Sequence, residues 1–248
     1  MIKLSIKISR VIYICSGLFL LFILSQLPLS AVQLTKHTNF PKLFLYITLN
    51  LFSIVGWIII SKIMGVFSTK PEKIQMRFPL QNRQRLGETL SKNPFFLYFL
   101  IICLSLFLLY LANVVPSIVA PLLQASHKHL DNSSQNQELI LSYLSNSNIF
   151  AFFFSFSLAP FFEEVIFRYG IYSLFPKEKY QLLAFALSTI VFATMHMIGS
   201  FDNPVLWLTY LLTSAVLCGL YSYFKNIYLN IAVHLIYNSI ILLIIIMQ

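Results

Sequence analysis

Seven stretches of this chain lack any Asp, Glu, Lys or Arg, and each is at least 19 residues long: 11–35, 43–61, 93–127, 139–162, 180–201, 203–224 and 226–248. About 20 apolar residues in a helix cross the hydrocarbon core of a bilayer. Within lipid only helices and closed barrels satisfy their own backbone polar groups. The pattern therefore predicts an all-α fold, a polytopic transmembrane helix bundle of seven spans. An eighth segment is expected if run 93–127 breaks after Asn113 at Pro116 and Pro121 into a span plus a short re-entrant or interfacial piece. With 58% apolar and 10% charged residues among 248, the chain has too little polar surface to coat a soluble globule.

The formal charge of +9 raises the question of a nucleic-acid partner, but its placement answers it. Lys3, Lys7 and Arg10 precede the first run, and Lys62, Lys70, Lys73, Arg77, Arg83, Arg85 and Lys92 lie between or beside the second and third. Lys177 and Lys179 follow the fourth and Lys225 the sixth, whereas the alternate loops hold only Lys36, Lys42 and Lys128. A 13 to 3 asymmetry follows the positive-inside rule, with a cytoplasmic N-terminus and, for seven spans, an outer C-terminus. The basic loop 63–92 then serves orientation and attraction to anionic lipid, and no nucleic-acid partner is expected.

The N-terminus has the basic and apolar pattern of a signal peptide, with Leu29-Ser30-Ala31 as a tolerable cleavage segment. The apolar stretch is longer than a signal core, and an uncleaved anchor is the expectation. Cys15, Cys103 and Cys218 have no paired spacing and read as packing residues. His127, His129 and Asp131 share a polar outer loop, where solvated surface is the simpler reading than a metal site. Without repeats, the chain reads as one membrane domain, 1–248. Residues 1–147 form N-terminal scaffold spans and loops, and 148–242 carry the chemistry.

That chemistry begins where the fourth run passes into Glu163-Glu164-Val165-Ile166-Phe167-Arg168. Charges at the centre of a membrane helix cost roughly 2.5–3.5 kcal/mol each on insertion scales. On a helix Glu164 and Arg168 are four apart and can pair, while Glu163 points about 100° away and needs its own partner. The plain alternative is a helix end meeting water, with Arg168 snorkelling. His196 follows Phe192 by four near the end of the fifth span, where a lone histidine can equally be a satisfied polar residue. In the last span His234 and Asn238 share a helical face, as they must if both donate to one oxygen. Together these six polar residues fall on three spans within the final 90 residues, and converging intramembrane ionisable groups mark a functional site. A carboxylate and an imidazole sharing a water can activate it for attack on an amide, and an Asn with a second His can hold the oxyanion. Ser200 and Ser239 are near only in sequence, so a covalent nucleophile is the weaker idea.

The three pairs Glu163-Glu164 with Arg168, Phe192 with His196, and His234 with Asn238 resemble the EExxxR, FxxxH and HxxxN motifs of the CAAX protease and bacteriocin-processing enzyme (CPBP, or Abi) family. The resemblance covers residues 148–242. It implies an intramembrane glutamate-type endopeptidase in which Glu163 and His196 activate water, His234 and Asn238 form the oxyanion site, and Glu164 and Arg168 support them. No cofactor is implied on that mechanism, although two His and a Glu could ligate zinc. In the family the site opens toward the cytoplasm, which agrees with Glu163 and His234 lying on the inner parts of their spans. The expected substrate is a membrane-associated or small peptide, with bacteriocin or pheromone processing and self-immunity as the biological settings, in a bacterial plasma membrane. Two other classes are open: a non-proteolytic membrane partner of a sensor kinase or transporter, and a proton-coupled transporter. The second should show paired broken helices in two corresponding halves, whereas the polar groups here are confined to one.

Overall fold

The computed structural model describes residues 2–35, 40–63, 94–124, 141–145, 148–175, 177–198 and 200–247. Among them the chain is all helical. Helix α1 (Ile2–Ala31) runs into a 3₁₀ turn (Val32–Thr35), followed by α2 (Phe40–Ile63) and α3 (Pro94–Gln124). Helix α4 (Ile149–Glu163) passes without interruption into a π-helical segment (Glu164–Gly170) and a last α-turn, α5 (Ile171–Leu174). A 3₁₀ turn (Glu178–Tyr180) leads to α6 (Gln181–His196), and α7 (Pro204–Phe224) and α8 (Ile227–Met247) complete the fold. The polytopic helical membrane bundle expected from the apolar runs is what forms.

Among the described residues four stretches are long and apolar enough to cross a membrane: Lys42–Ile63, Phe95–Pro121, Pro204–Phe224 and Ile227–Met247. Ile14–Pro28 and Gln181–His196 are shorter apolar helices. One local expectation changes. Helix α3 continues through Pro116 and Pro121, so no break follows Asn113; a helix in lipid keeps its remaining backbone bonds because no water competes for them. The helix of the fourth run continues past Glu163 to Leu174, as the pairing of Glu164 with Arg168 requires.

Chain turns are fixed by local chemistry. The Asn203 carboxamide oxygen accepts from the backbone N–H groups of Val205 and Leu206, with Pro204 at the first helical position, where its missing N–H costs nothing. The tight α7–α8 reversal places Lys225 in the left-handed region (φ 48°). Next to it, Asn226 caps α8 by accepting from Tyr228 and Leu229.

The bundle has two distinguishable ends. At the basic end the Lys225 ammonium donates to the Gln181 side chain at 2.5 Å, bringing the start of α6 to the α7–α8 turn. Lys62, Lys177 and Lys179 lie toward the same end. At the far end the Asn148 N–H donates to Thr35 Oγ1 at 2.8 Å, and Tyr46 Oη donates to the Ala151 carbonyl at 3.0 Å. Between the ends, α1 and α2 pack as a hairpin against α4, while α7 is held between α3 and α6. The main core gathers Leu21, Trp57, Phe162, Val165, Phe167, Ile171, Phe192, Tyr221 and Ile231 around the π segment. Helix α1 approaches that segment so closely that a Cβ on Gly170 would lie 2.1 Å from Leu18 Cδ2.

Candidate active site

The π segment begins immediately after Glu163, so the two adjacent glutamates meet different surroundings. Glu164 and Arg168 are completely buried, whereas Glu163 keeps 23% of its side chain accessible. The helix-end reading of Glu163-Glu164 and Arg168 is thereby excluded: the pair sits inside the bundle with no water to snorkel toward.

Glu164 is a hub. Its Oε1 lies 3.3 Å from Arg168 Nη1 and accepts from His234 Nδ1 at 2.7 Å, while its Oε2 accepts from Asn230 Nδ2 at 2.9 Å. Arg168 in turn donates from Nη2 to Ser214 Oγ at 3.2 Å, and its guanidinium carbon sits 4.4 Å from the centre of the Phe192 ring. A buried charge pair is stable only when its remaining hydrogen-bonding positions are filled, and α7 and α8 fill several of them here. Asn230 also donates to the Leu217 carbonyl at 2.8 Å, tying α8 to α7. The π turn has its own clasp, because Ser188 of α6 donates to the Phe167 carbonyl at 2.6 Å.

Glu163 faces both histidines. Its Oε2 is 3.6 Å from His234 Nε2 and 3.8 Å from His196 Nε2. Each imidazole is oriented by its other nitrogen: His234 Nδ1 donates to Glu164, and His196 Nδ1 donates to the Phe192 carbonyl at 2.9 Å. That commitment of Nδ1 turns Nε2 of both rings toward the same carboxylate oxygen. Stacking on Phe192 at 4.2 Å and an approach to Tyr210 at 4.9 Å hold the His196 ring from both sides.

These groups border a cavity of about 290 Å³ that Asn238, Asn113, Tyr210, Thr213 and Tyr237 also line. Asn113 Nδ2 donates to Tyr237 Oη across its wall. All six sequence-identified residues therefore converge: Glu163, His196, His234 and Asn238 on the cavity, Glu164 and Arg168 behind them. At about 1.5 Å per residue, His196 lies roughly 22 Å from the start of α6 and His234 roughly 10 Å from the start of α8. Since both helices start at the basic end, they meet Glu163 only by not running level.

Sequence reasoning did not single out Asn230, Ser214 or Tyr210. Asn230 had a signal, because Asn230, His234 and Asn238 repeat at intervals of four on one face of α8. Ser214 and Tyr210 had none. Among the described residues no group of three or more His, Cys, Asp and Glu side chains is arranged to hold a metal ion. His127, His129 and Asp131 lie outside the described residues.

Residues 145–240 match the family model of type II CAAX prenyl endopeptidase Rce1-like proteins. The chain is 35% identical over 132 residues to the UPF0177 protein YvdC of Lactococcus lactis subsp. lactis (strain IL1403), covering 53% of this chain and 47% of that protein. It thus spans about half the length of the curated relative it matches. No solved structure matches the chain. The matched segment contains all six site residues, and the match bears out the resemblance carried by the three motifs.

Proposed function

We propose that the chain is an intramembrane endopeptidase that hydrolyses a peptide bond with a water activated by Glu163 and His196. The observation that carries this reading is the orientation of two imidazole Nε2 atoms, at 3.6 and 3.8 Å, onto one oxygen of a partly accessible carboxylate, beside a cavity that Asn238 also lines.

In this mechanism the Glu163 carboxylate, with His196, takes a proton from water as the water oxygen bonds to the scissile carbonyl carbon. The carbonyl π electrons move to oxygen, and the resulting oxyanion is held by Asn238 Nδ2–H and by His234. Because the Nδ1–H of His234 is committed to Glu164, any hydrogen bond from this ring to the oxyanion comes from Nε2. Collapse breaks the C–N bond, and the proton held at Glu163 passes to the leaving amine. Glu164 is a positioning residue, with Arg168 balancing its charge. No metal is required by these steps. The protein acts in a bacterial plasma membrane with its N-terminus in the cytoplasm, as the basic loops favour. A bacteriocin or pheromone precursor is the substrate in this reading, with peptide processing or self-immunity as its role.

The test is mass spectrometry of candidate peptides co-expressed with wild type, Glu163→Gln, His196→Ala or His234→Ala at matched membrane levels. Cleavage should disappear in all three and persist in wild type under chelation. Cleavage that persists in Glu163→Gln removes the glutamate from the mechanism, and loss of wild-type cleavage on chelation transfers the role to zinc.

A further inference from the structure

Three helices meet in a polar cluster on the cavity wall, outside the six residues that carry the chemistry. Asn113 of α3 donates from Nδ2 to the Leu109 carbonyl of its own helix at 2.8 Å and, with its second proton, to Tyr237 Oη on α8. A carbonyl can only accept, so the bond to Leu109 fixes which end of the carboxamide faces Tyr237. The Tyr237 hydroxyl shares a further hydrogen bond with Thr213 of α7. All three side chains line the same cavity as Glu163.

On α8 the cavity is faced by His234, Tyr237, Asn238, Ile241, Leu242 and Ile245, a stripe at the three- and four-residue spacing of one helical face. Its polar members are held in different ways. His234 is bonded to Glu164, and Tyr237 to Asn113 and Thr213, whereas Asn238 makes no side-chain hydrogen bond among the described residues. Where its carboxamide points is therefore set by the rotation of α8. Toward the basic end that rotation is fixed by Asn230 and His234, both bonded to Glu164. Past His234, Ser239 bonds back to the Leu235 carbonyl of its own helix at 2.8 Å and so gives no hold on a neighbour. Tyr237 does give one, and it is adjacent to Asn238 in sequence. In lipid such bonds between helices set a rotation that apolar packing specifies only weakly.

We propose that Asn113 and Tyr237 are positioning residues of the peptidase site, together fixing the rotation of α8 that aims Asn238 at the oxyanion. The inference rests on the peptidase reading. Neither residue belongs to the three motifs, and Asn113 lies outside the matched segment 145–240, in the part of the chain expected to be scaffold. An oxyanion donor acts only at hydrogen-bond distance from the oxygen. Misplacing a catalytic group by about 1 Å can cost on the order of 10²-fold in rate. A residue that acts only on transition-state geometry lowers kcat and leaves KM nearly unchanged.

The experiment uses the full-length protein in detergent and a fluorophore-quencher version of a peptide that the co-expression assay shows to be cleaved. Steady-state kinetics are measured for Tyr237→Phe, Asn113→Leu and the two combined, each also in an Asn238→Ala background. Either single substitution should lower kcat by about ten- to a hundredfold, with KM within about twofold of wild type. The pair should do no more than one alone, and in the Asn238→Ala background the loss should shrink to less than about twofold. Asn113→Leu breaks the same bond from another helix, so the test stands even if Tyr237→Phe does not accumulate. Unchanged kcat, a rise in KM alone, or the same loss with Asn238 already removed overturns the inference, the last by showing a purely structural role. Glu163→Gln separates this failure from that of the peptidase reading. Cleavage lost in Glu163→Gln but insensitive to Tyr237→Phe and Asn113→Leu overturns the inference alone. Cleavage that survives Glu163→Gln removes the peptidase mechanism, and the inference with it.

Discussion

Polar side chains do different work in the two halves of this bundle. In α1, α2 and α3 most of them bond within their own helix: Ser30 to the Gln26 carbonyl, Thr48 to Phe44, Asn50 to Tyr46 and Ser105 to Ile101. Around the π segment they reach across helices, as Ser188 does to Phe167, Arg168 to Ser214, and Asn230 and His234 to Glu164. A local bond satisfies a hydroxyl in lipid without specifying a neighbour. A bond between helices fixes register and rotation, because in lipid there is little hydrophobic force to do so. Ser53, which donates to the Leu24 carbonyl at 2.7 Å and docks α2 on α1, is one exception, and Tyr46 and Asn113, which reach α4 and α8, are others. The first half is thus built to sit in the membrane, and the second to hold six polar groups at defined positions.

The largest effect should come from breaking the hub. Arg168→Leu leaves the Glu164 carboxylate buried with its charge uncompensated, a loss of about 3–5 kcal/mol for a buried pair. Membrane accumulation and thermal stability in detergent should both fall, and unchanged values would mean that the pair does not hold the bundle. Glu163→Gln should behave in the opposite way. It leaves the hub intact, so the fold survives, while peptide cleavage drops by about 10²–10⁴-fold as expected for loss of a general base. Intermediate in stability is Asn230→Ala, which removes hydrogen bonds to both Glu164 and Leu217. Leaving buried acceptors unpaired should cost about 1–3 kcal/mol in detergent melting. The smallest effect is expected for Thr48→Val, whose hydroxyl serves only the Phe44 carbonyl of its own helix; a shift within about 0.5 kcal/mol fits a surface site. A larger loss at Thr48 than at Asn230 would dissolve the distinction between the halves.

Much of this was legible in the sequence because lipid makes charge conspicuous. Uncharged runs located the helices, and the cost of Glu163, Glu164, Arg168 and His234 in that setting located the site. The spacing also gave the Glu164–Arg168 pair correctly. What was not legible depends on the path of the backbone. Two adjacent glutamates at a run boundary look like a helix end, and nothing in Val165-Ile166-Phe167 announces that the helix widens into a π turn and continues. The prolines of α3 misled for a related reason, since the rule that they end helices comes from water. Ser214 and Tyr210 were invisible because their roles arise from α7 lying beside α6 and meeting Arg168 of the π segment, and no period in α7 itself encodes that contact.

The close fit of Gly170 against Leu18 sets an order of events during synthesis. Leu18 enters the membrane early, but the glycine that makes room for it is made about 150 residues later. At synthesis rates of roughly 5–20 residues per second, the face of α1 that receives the π segment waits on the order of ten seconds against lipid. Helix α1 is thus a template already in place when the charged turn arrives, and the Glu164–Arg168 pair can leave water only once that template and the later helices have closed around it.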